Sequence, residues 1–262
     1  MRILVTGAAR AIGRATAIEC ARRGHEVVAT ARDDRLLAGL EAAKCLVLDV
    51  TDLASIRAAL AAAGELDAVV NNAALPGAGP LEDFPMERLQ SIIDTNTYGP
   101  LRIAQELIPA WRARGSGVFV NVSSVQGRVS TPLGGPYAAS KFALEAISET
   151  LRYELAHFGI RVVIIQPGYI APGMKEAPRH DGPSAYADLW AQWTGTDAKV
   201  TGPAGRPGPE LVAVAIADAV ENPETPLRVP VGSDAETILG VRSRLDDAAF
   251  EAAMRKTLDF TW

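Results

Sequence analysis

Short apolar runs alternate with helix-length amphipathic segments from the first residues onward. That rhythm constrains this 262-residue chain more than any other feature. Residues 3–5, 27–30, 45–48, 68–70, 118–122 and 161–165 read as strands, with 227–231 as a seventh. Helical patterns fill the intervals at 12–23, about 34–42, 52–63, 86–113 and 136–157. Gly24 ends the first of these, Asp52 suits an N-cap, and Pro136 suits a helix start. Strands separated by helices of this length build a parallel sheet through right-handed crossovers. Their near-continuous apolar character fits a sheet covered on both faces. The expectation is one α/β domain over 1–262, a doubly wound parallel sheet of about seven strands. One stretch breaks the rhythm. An insertion at about 171–208 holds Trp190 and Trp193 and ends rich in Gly and Pro. It follows a strand, where α/β folds place ligand-covering loops.

Charge and composition narrow the function classes. A net charge of -5 with no basic cluster argues against a nucleic-acid surface. No apolar run approaches the length of a membrane span, and the N-terminus reads as a strand and glycine turn rather than a signal peptide. The expected location is cytoplasmic. Cys20 and Cys45 show no ligand spacing, and His25, His157 and His180 are far apart, so no metal site is expected.

Two local patterns carry chemistry. Thr6-Gly7-Ala8-Ala9-Arg10-Ala11-Ile12-Gly13 joins the first strand to the first helix. Gly7 allows the tight turn, the helix N-terminus offers free N–H groups to a pyrophosphate, and Gly13 permits close packing of helix on sheet. Tyr137 and Lys141, four residues apart, share a helix face. A nearby ammonium favours a phenolate, so the pair could pass a proton to or from an alcohol or ketone oxygen near neutral pH.

The spacing TGxxxxxG with YxxxK far downstream resembles the classical short-chain dehydrogenase/reductase family, and further motifs match in order. Asp49-Val50 resembles its adenine-contacting segment, Asn71-Asn72-Ala73-Ala74 its NNAG, and Asn96-Thr97-Tyr98-Gly99 its NxxG. Asn121-Val122-Ser123-Ser124 resembles its strand-five serine motif, with Ser124 thirteen residues before Tyr137, and Pro167-Gly168 its PG motif. The wording around Tyr137 and Leu151 is most similar to the hydroxysteroid dehydrogenase-like branch. The match spans roughly residues 1–172.

The resemblance implies a Rossmann-type fold and a catalytic set of Asn96, Ser124, Tyr137 and Lys141. Tyr137 would be the acid/base, and Lys141 would lower its pKa and hold the nicotinamide ribose. Ser124 would bond the substrate oxygen, and Asn96, interrupting its helix, would hold a water in a relay. The cofactor would lie along Gly7, Ala9, Arg10, Ile12, Gly13, Arg32, Asp49, Val50, Asn72, Ala73, Tyr137, Lys141, Pro167, Gly168 and Ile170. Substrate would meet Ser124, Gln126, Tyr137, Tyr169 and Trp190. Met174, Tyr186 and Trp193 are further lining candidates, and 125–135, with Arg128, is the other wall. Homodimers or homotetramers through the long helices are common in the family.

Three positions depart from the pattern. Ala11 stands for the second glycine, tolerable if its φ is negative; Ala74 stands for the glycine of NNAG; and Pro172 stands for a threonine that often contacts the nicotinamide, a contact that could pass to the backbone of Ile170. The cofactor choice follows from charge. NAD enzymes place an acid after strand two, whereas an arginine accommodates a 2′-phosphate. Here Ala31 takes the acidic position and Arg32 follows, with Arg10 as a second cation and Asp33 as a competing acid. The reading is an NADP(H)-dependent oxidoreductase (NAD(H) second) interconverting a small-molecule ketone or aldehyde and an alcohol. The alternative is a non-catalytic NADP-binding sensor or regulatory protein on the same fold. The complete Asn-Ser-Tyr-Lys set counts against that alternative.

Overall fold

The computed structural model of the chain describes residues 1–174, 185–203 and 205–262. Seven strands, all parallel, run in the order β3-β2-β1-β4-β5-β6-β7. They are β1 (Arg2–Val5), β2 (Glu26–Ala31), β3 (Lys44–Val47), β4 (Ala68–Asn71), β5 (Gly117–Val122), β6 (Ile160–Pro167) and β7 (Arg228–Val231). The chain winds outward from β1 to β3, then returns to lay β4 against the other side of β1. Strand order reverses there, and α/β sheets open a crevice at that point beyond the strands' C-terminal ends.

Coverage of both faces explains why β1, β2, β4, β5 and β6 are mainly apolar, whereas the edge strand β3 is largely exposed. Ile3, Val5, Val27, Ala29, Val118, Val120, Val163 and Ile165 face one layer. They pack with Ala17 and Cys20 of α1 (Ala11–Arg22) and with Val212, Ile216 and Val220 of α8 (Glu210–Glu221). Leu4, Val28, Val69, Phe119 and Val162 face the other layer. Their partners lie on α2 (Leu53–Ala63), α4 (Gly99–Arg114) and α5 (Gly135–Ala156). Trp111 of α4 anchors this second layer. Its ring meets Phe119 at 4.4 Å and its indole N–H donates to the Leu66 carbonyl (2.9 Å). A Cβ on Gly117 would lie 2.2 Å from that ring, so only glycine fits beneath it.

One helical expectation changes and another holds in detail. The segment about 34–42 forms only a single tight turn, Asp34–Leu37, because Gly39 takes a positive φ of 71° and the chain extends from there to β3. The long 86–113 helix is broken as expected. It comprises α3 (Met86–Ile93), a wide π turn over Asp94–Tyr98, and α4. After β6 the sequence predicts the insertion at about 171–208 and β7. The structure adds α6 (Ala187–Trp193), α7 (Asp197–Thr201), α9 (Ser233–Arg242) and α10 (Asp247–Leu258), besides α8.

The two thiols sit in opposite environments. Cys20 is fully buried under α1, and burial pushes its pKa up to about 12, while Cys45 is exposed on β3. A raised pKa keeps a thiol protonated, and the thiolate is the nucleophile. Iodoacetamide at pH 8.5 is therefore expected to modify Cys45 and spare Cys20 in the native protein, and to modify both in guanidinium, as read by peptide mass spectrometry.

Candidate active site

The crevice at the switch point is a cavity of about 940 Å³. Its first wall is the glycine turn. Thr6, at the end of β1, accepts at Oγ from the backbone N–H groups of Asn72 and Ala73 (2.9 and 3.0 Å). Asn72 returns its amide to the carbonyls of Thr6 and Gly7 (2.9 and 3.2 Å). These bonds draw β4 against the turn so tightly that a Cβ on Gly13 would lie 2.3 Å from the Gly7 oxygen and 2.5 Å from the Asn72 amide. The first N–H groups of α1 face the same space. Arg10, at their cap position, has no acceptor to offer them. Gly7, Ala9, Arg10, Ile12, Arg32, Asp49, Val50, Asn72, Ala73, Tyr137, Lys141, Pro167, Gly168 and Ile170 all border this cavity. Gly13 does not; it is the packing point behind the turn.

Ala11 corrects an expectation. Its φ is +44°, in the left-handed region, so the turn keeps the conformation a glycine would supply and a methyl bears the strain. Pro172 is absent from the cavity wall, whereas Ile170 is part of it.

The second wall carries the expected catalytic set. Ser124 begins the short turn after β5, accepts from the Gln126 N–H (3.1 Å), and is hydrogen-bonded toward the Tyr137 phenol. Tyr137 lies in the first turn of α5. Lys141, one turn on, is 2 % exposed; its ammonium donates to the Val122 carbonyl at the end of β5 (2.7 Å). Lys141 Nζ stands 5.5 Å from the centre of the Tyr137 ring. Burial lowers the lysine to about 8, with the charge of Glu145 resisting. Burial also raises the phenol above its usual value, opposed by the Ser124 hydrogen bond. Tyr137 keeps some surface toward the cavity, which tempers that push. The expected lowering of the phenol by Lys141 is therefore not what this arrangement does. The ammonium sits over the ring face and is bonded to β5, so desolvation dominates.

Asn96 lies in the π turn and is 1 % exposed. Its carboxamide accepts from the Leu75 N–H (2.7 Å) and donates to the Leu75 carbonyl and to Ser140 Oγ (both 3.0 Å). The side chain thus clamps the loop after β4 to α5, and it does not border the cavity. Gln126, Tyr169 and Trp190 do border it, together with Met174 and Trp193. Tyr186 does not; its hydroxyl donates to Glu82 (2.6 Å). Arg128 is exposed away from the wall, although Val125, Val129 and Leu133 around it contribute.

Several participants escaped the sequence reading. Ile238, Met254 and Leu258 of the C-terminal helices line the substrate side. Asp234, 3 % exposed in the first turn of α9, accepts from the Tyr169 N–H (2.7 Å), and a Cβ on Gly168 would lie 2.1 Å from it. That contact explains the glycine after Pro167. Glu145, 3 % exposed and one turn beyond Lys141, accepts from Gln166 (2.8 Å) and Arg228 (2.7 Å). Its position four residues after Lys141 was a visible signal; Asp234 had none, because it comes from a distant part of the chain.

The profile of the short chain dehydrogenase family matches residues 1–182. The chain belongs to that family. A short-chain dehydrogenase from Streptomyces avermitilis has the same fold, with 33% identity, a TM-score of 0.79, and 98% of this chain and 97% of that one covered. A short chain dehydrogenase from Burkholderia cenocepacia, solved in complex with NADP, shares 25% identity at a TM-score of 0.78, covering 96% of both chains. Among curated proteins, a 3-ketodihydrosphingosine reductase of Bacteroides thetaiotaomicron is 30% identical, covering 97% of this chain and 96% of its own. This short-chain dehydrogenase therefore has the NAD(P)-linked oxidoreductase scaffold of its relatives, and its glycine turn fits a dinucleotide.

Replacing Ala11 by Gly should relieve left-handed strain of about 1–2 kcal/mol, less about 0.4–1 kcal/mol from the freer unfolded chain. The expected outcome is a gain of up to about 1.6 kcal/mol and a Tm rise of about 2–4 °C per kcal/mol gained, measured by thermal unfolding without added nucleotide.

Proposed function

We propose that this protein is an NADP-dependent oxidoreductase that interconverts a ketone or aldehyde and an alcohol, with Tyr137 as the acid/base. The observation that carries the reading is the convergence of Ser124, Tyr137 and Lys141 on the cavity that the glycine turn opens. The bound nicotinamide supplies or accepts the hydride. Ser124, held by its place at the turn after β5, bonds the substrate oxygen and steadies charge developing there. Tyr137 donates its proton to the same oxygen. Burial holds the phenol above its usual value, so at neutral pH the resting group carries the proton that ketone reduction uses. Lys141 returns a proton toward the phenol. Because the Asn96 carboxamide is taken up by Leu75 and Ser140, its share in a relay falls to its backbone in the π turn.

The NADP preference rests on charge at the cavity rim. Arg10 and Arg32 are exposed there, and neither enters an ion pair among the described residues. Asp33, the competing acid, is turned onto Arg35 (2.7 Å) and does not border the cavity. A 2′-phosphate would meet two cations, with Asp33 already held by Arg35. Exposed Tyr98, Phe142 and Tyr153, on the π turn and α5, suit a homodimer or homotetramer face. No helix among the described residues is long and apolar enough to cross a membrane.

Tyr137→Phe should lose about 10²–10⁴ in kcat while keeping its circular dichroism spectrum and nucleotide affinity; full turnover would remove Tyr137 from the mechanism. Arg32→Ala should weaken NADPH binding about tenfold and leave NADH binding unchanged, as followed by fluorescence titration. In wild type, alcohol oxidation should have its optimum at higher pH than ketone reduction, since oxidation needs the phenolate. An oxidation optimum on the acidic side would contradict the acid role assigned to the buried phenol.

A further inference from the structure

Behind the substrate side of the cavity lies a second hollow of about 260 Å³. Thr131, Trp193, Met254 and Leu258 border both spaces, so these side chains form the partition between them. The far side of the hollow is apolar, with Pro132, Phe250 and Phe260. Its frame is tied together. The Gln192 side-chain oxygen accepts from the N–H groups of Thr261 and Trp262 (both 3.1 Å), and Lys199 donates to the Leu258 carbonyl. Trp193 meets Phe260 edge-on at 6.2 Å. The chain's last residues thus hold α6, α7 and α10 as one wall.

We infer that the two spaces form one continuous site for a long-chain apolar ketone, with the carbonyl at Ser124 and Tyr137 and an uncharged alkyl tail passing Met254 and Leu258 into the second hollow. The inference deepens the oxidoreductase reading and rests on it. The charges on the route argue for a neutral tail. Arg10 and Arg32 lie at the glycine turn and the end of β2, where the dinucleotide is placed, and Lys141 is bonded to Val122. The other cations bordering the two spaces each already hold a carboxylate: Arg206 pairs with Asp197 (2.7 Å) and Arg255 with Glu251 (2.9 Å). Neither of these two is left over to recruit an anionic group, and the partition between the spaces is Trp193, Met254 and Leu258 with a single hydroxyl, that of Thr131. Unbranched Met254 is the side chain best able to move aside for a tail. Specificity for tail length would then come from α10 and the C-terminus, outside the segment that matches the family profile.

A series of methyl ketones from 2-butanone to 2-dodecanone tests this. Wild type should gain roughly fourfold in kcat/KM per added methylene once the tail reaches the partition. Calorimetric titration of the same ketones should show the same trend in affinity, whether or not turnover is seen. Ser130 borders only the second hollow and is exposed, so Ser130→Trp fills that space from outside with little risk to folding. It should lower the 2-dodecanone to 2-butanone ratio tenfold or more in both measurements, while Ser130→Ala should keep the wild-type ratio. A flat chain-length series, or an unchanged ratio in Ser130→Trp, overturns the tail site and leaves the oxidoreductase reading standing. Length-dependent binding with no turnover of any member supports the tail site and counts against the oxidoreductase reading.

Discussion

The contact between the end of β1 and the end of β4 holds everything else in place. Thr6 and Asn72 exchange hydrogen bonds across the point where strand order reverses, and Gly13 lets the first helix come down on top of them. A parallel sheet alone would leave a crevice of indefinite width. The Thr6–Asn72 bonds set it, because the groups involved are partly or wholly buried and a lost partner would cost about 1–3 kcal/mol. The glycine turn and the loop that leads to the catalytic wall are thereby fixed relative to each other.

The catalytic wall is aligned by a second buried polar chain. Asn71 of β4 donates to Asn121 of β5 (2.8 Å), which donates to Ser148 of α5 (2.8 Å), which closes on the Leu144 carbonyl. Thr97 bonds the Ser140 carbonyl, and Lys141 bonds Val122. The Asn121–Ser148, Thr97–Ser140 and Lys141–Val122 bonds tie α5 to β5 and to the π turn, and Asn71 braces Asn121 from β4, so the helix bearing Tyr137 is held against sliding along the sheet. Below it, Glu145 reaches β6 and β7 through Gln166 and Arg228. The order that the reaction needs, donor beside substrate oxygen and lysine behind, follows from packing rather than from the Tyr–Lys spacing itself.

Legibility varied with the range of the cause. Strands were readable because both faces are covered, which leaves an apolar run with little ambiguity. Gly7, Gly13, Ser124 and Tyr137 were readable because their roles are local or tied to strand ends. The segment after β2 was misread as a helix because Gly39 and the short path to β3 override its weak helical pattern. Alanine at position 11 was held tolerable at negative φ, but the turn keeps the left-handed conformation there, at φ +44°. Tyr186 was grouped with the lid aromatics until Glu82, more than a hundred residues earlier, claimed its hydroxyl.

The sequence by itself determined the α/β architecture, the strand-to-helix turn that suits a dinucleotide, and the residues able to transfer a proton, since these depend on periodicity and on spacing within one or two elements. Only the tertiary structure decided the protonation balance of Tyr137 and Lys141, which follows from how deeply α5 is buried and which carbonyl the ammonium meets. It also decided the shape of the substrate side. That wall is assembled from α6, α9, α10 and the last residues of the chain, which carry no motif and meet only because the sheet brings them to one edge.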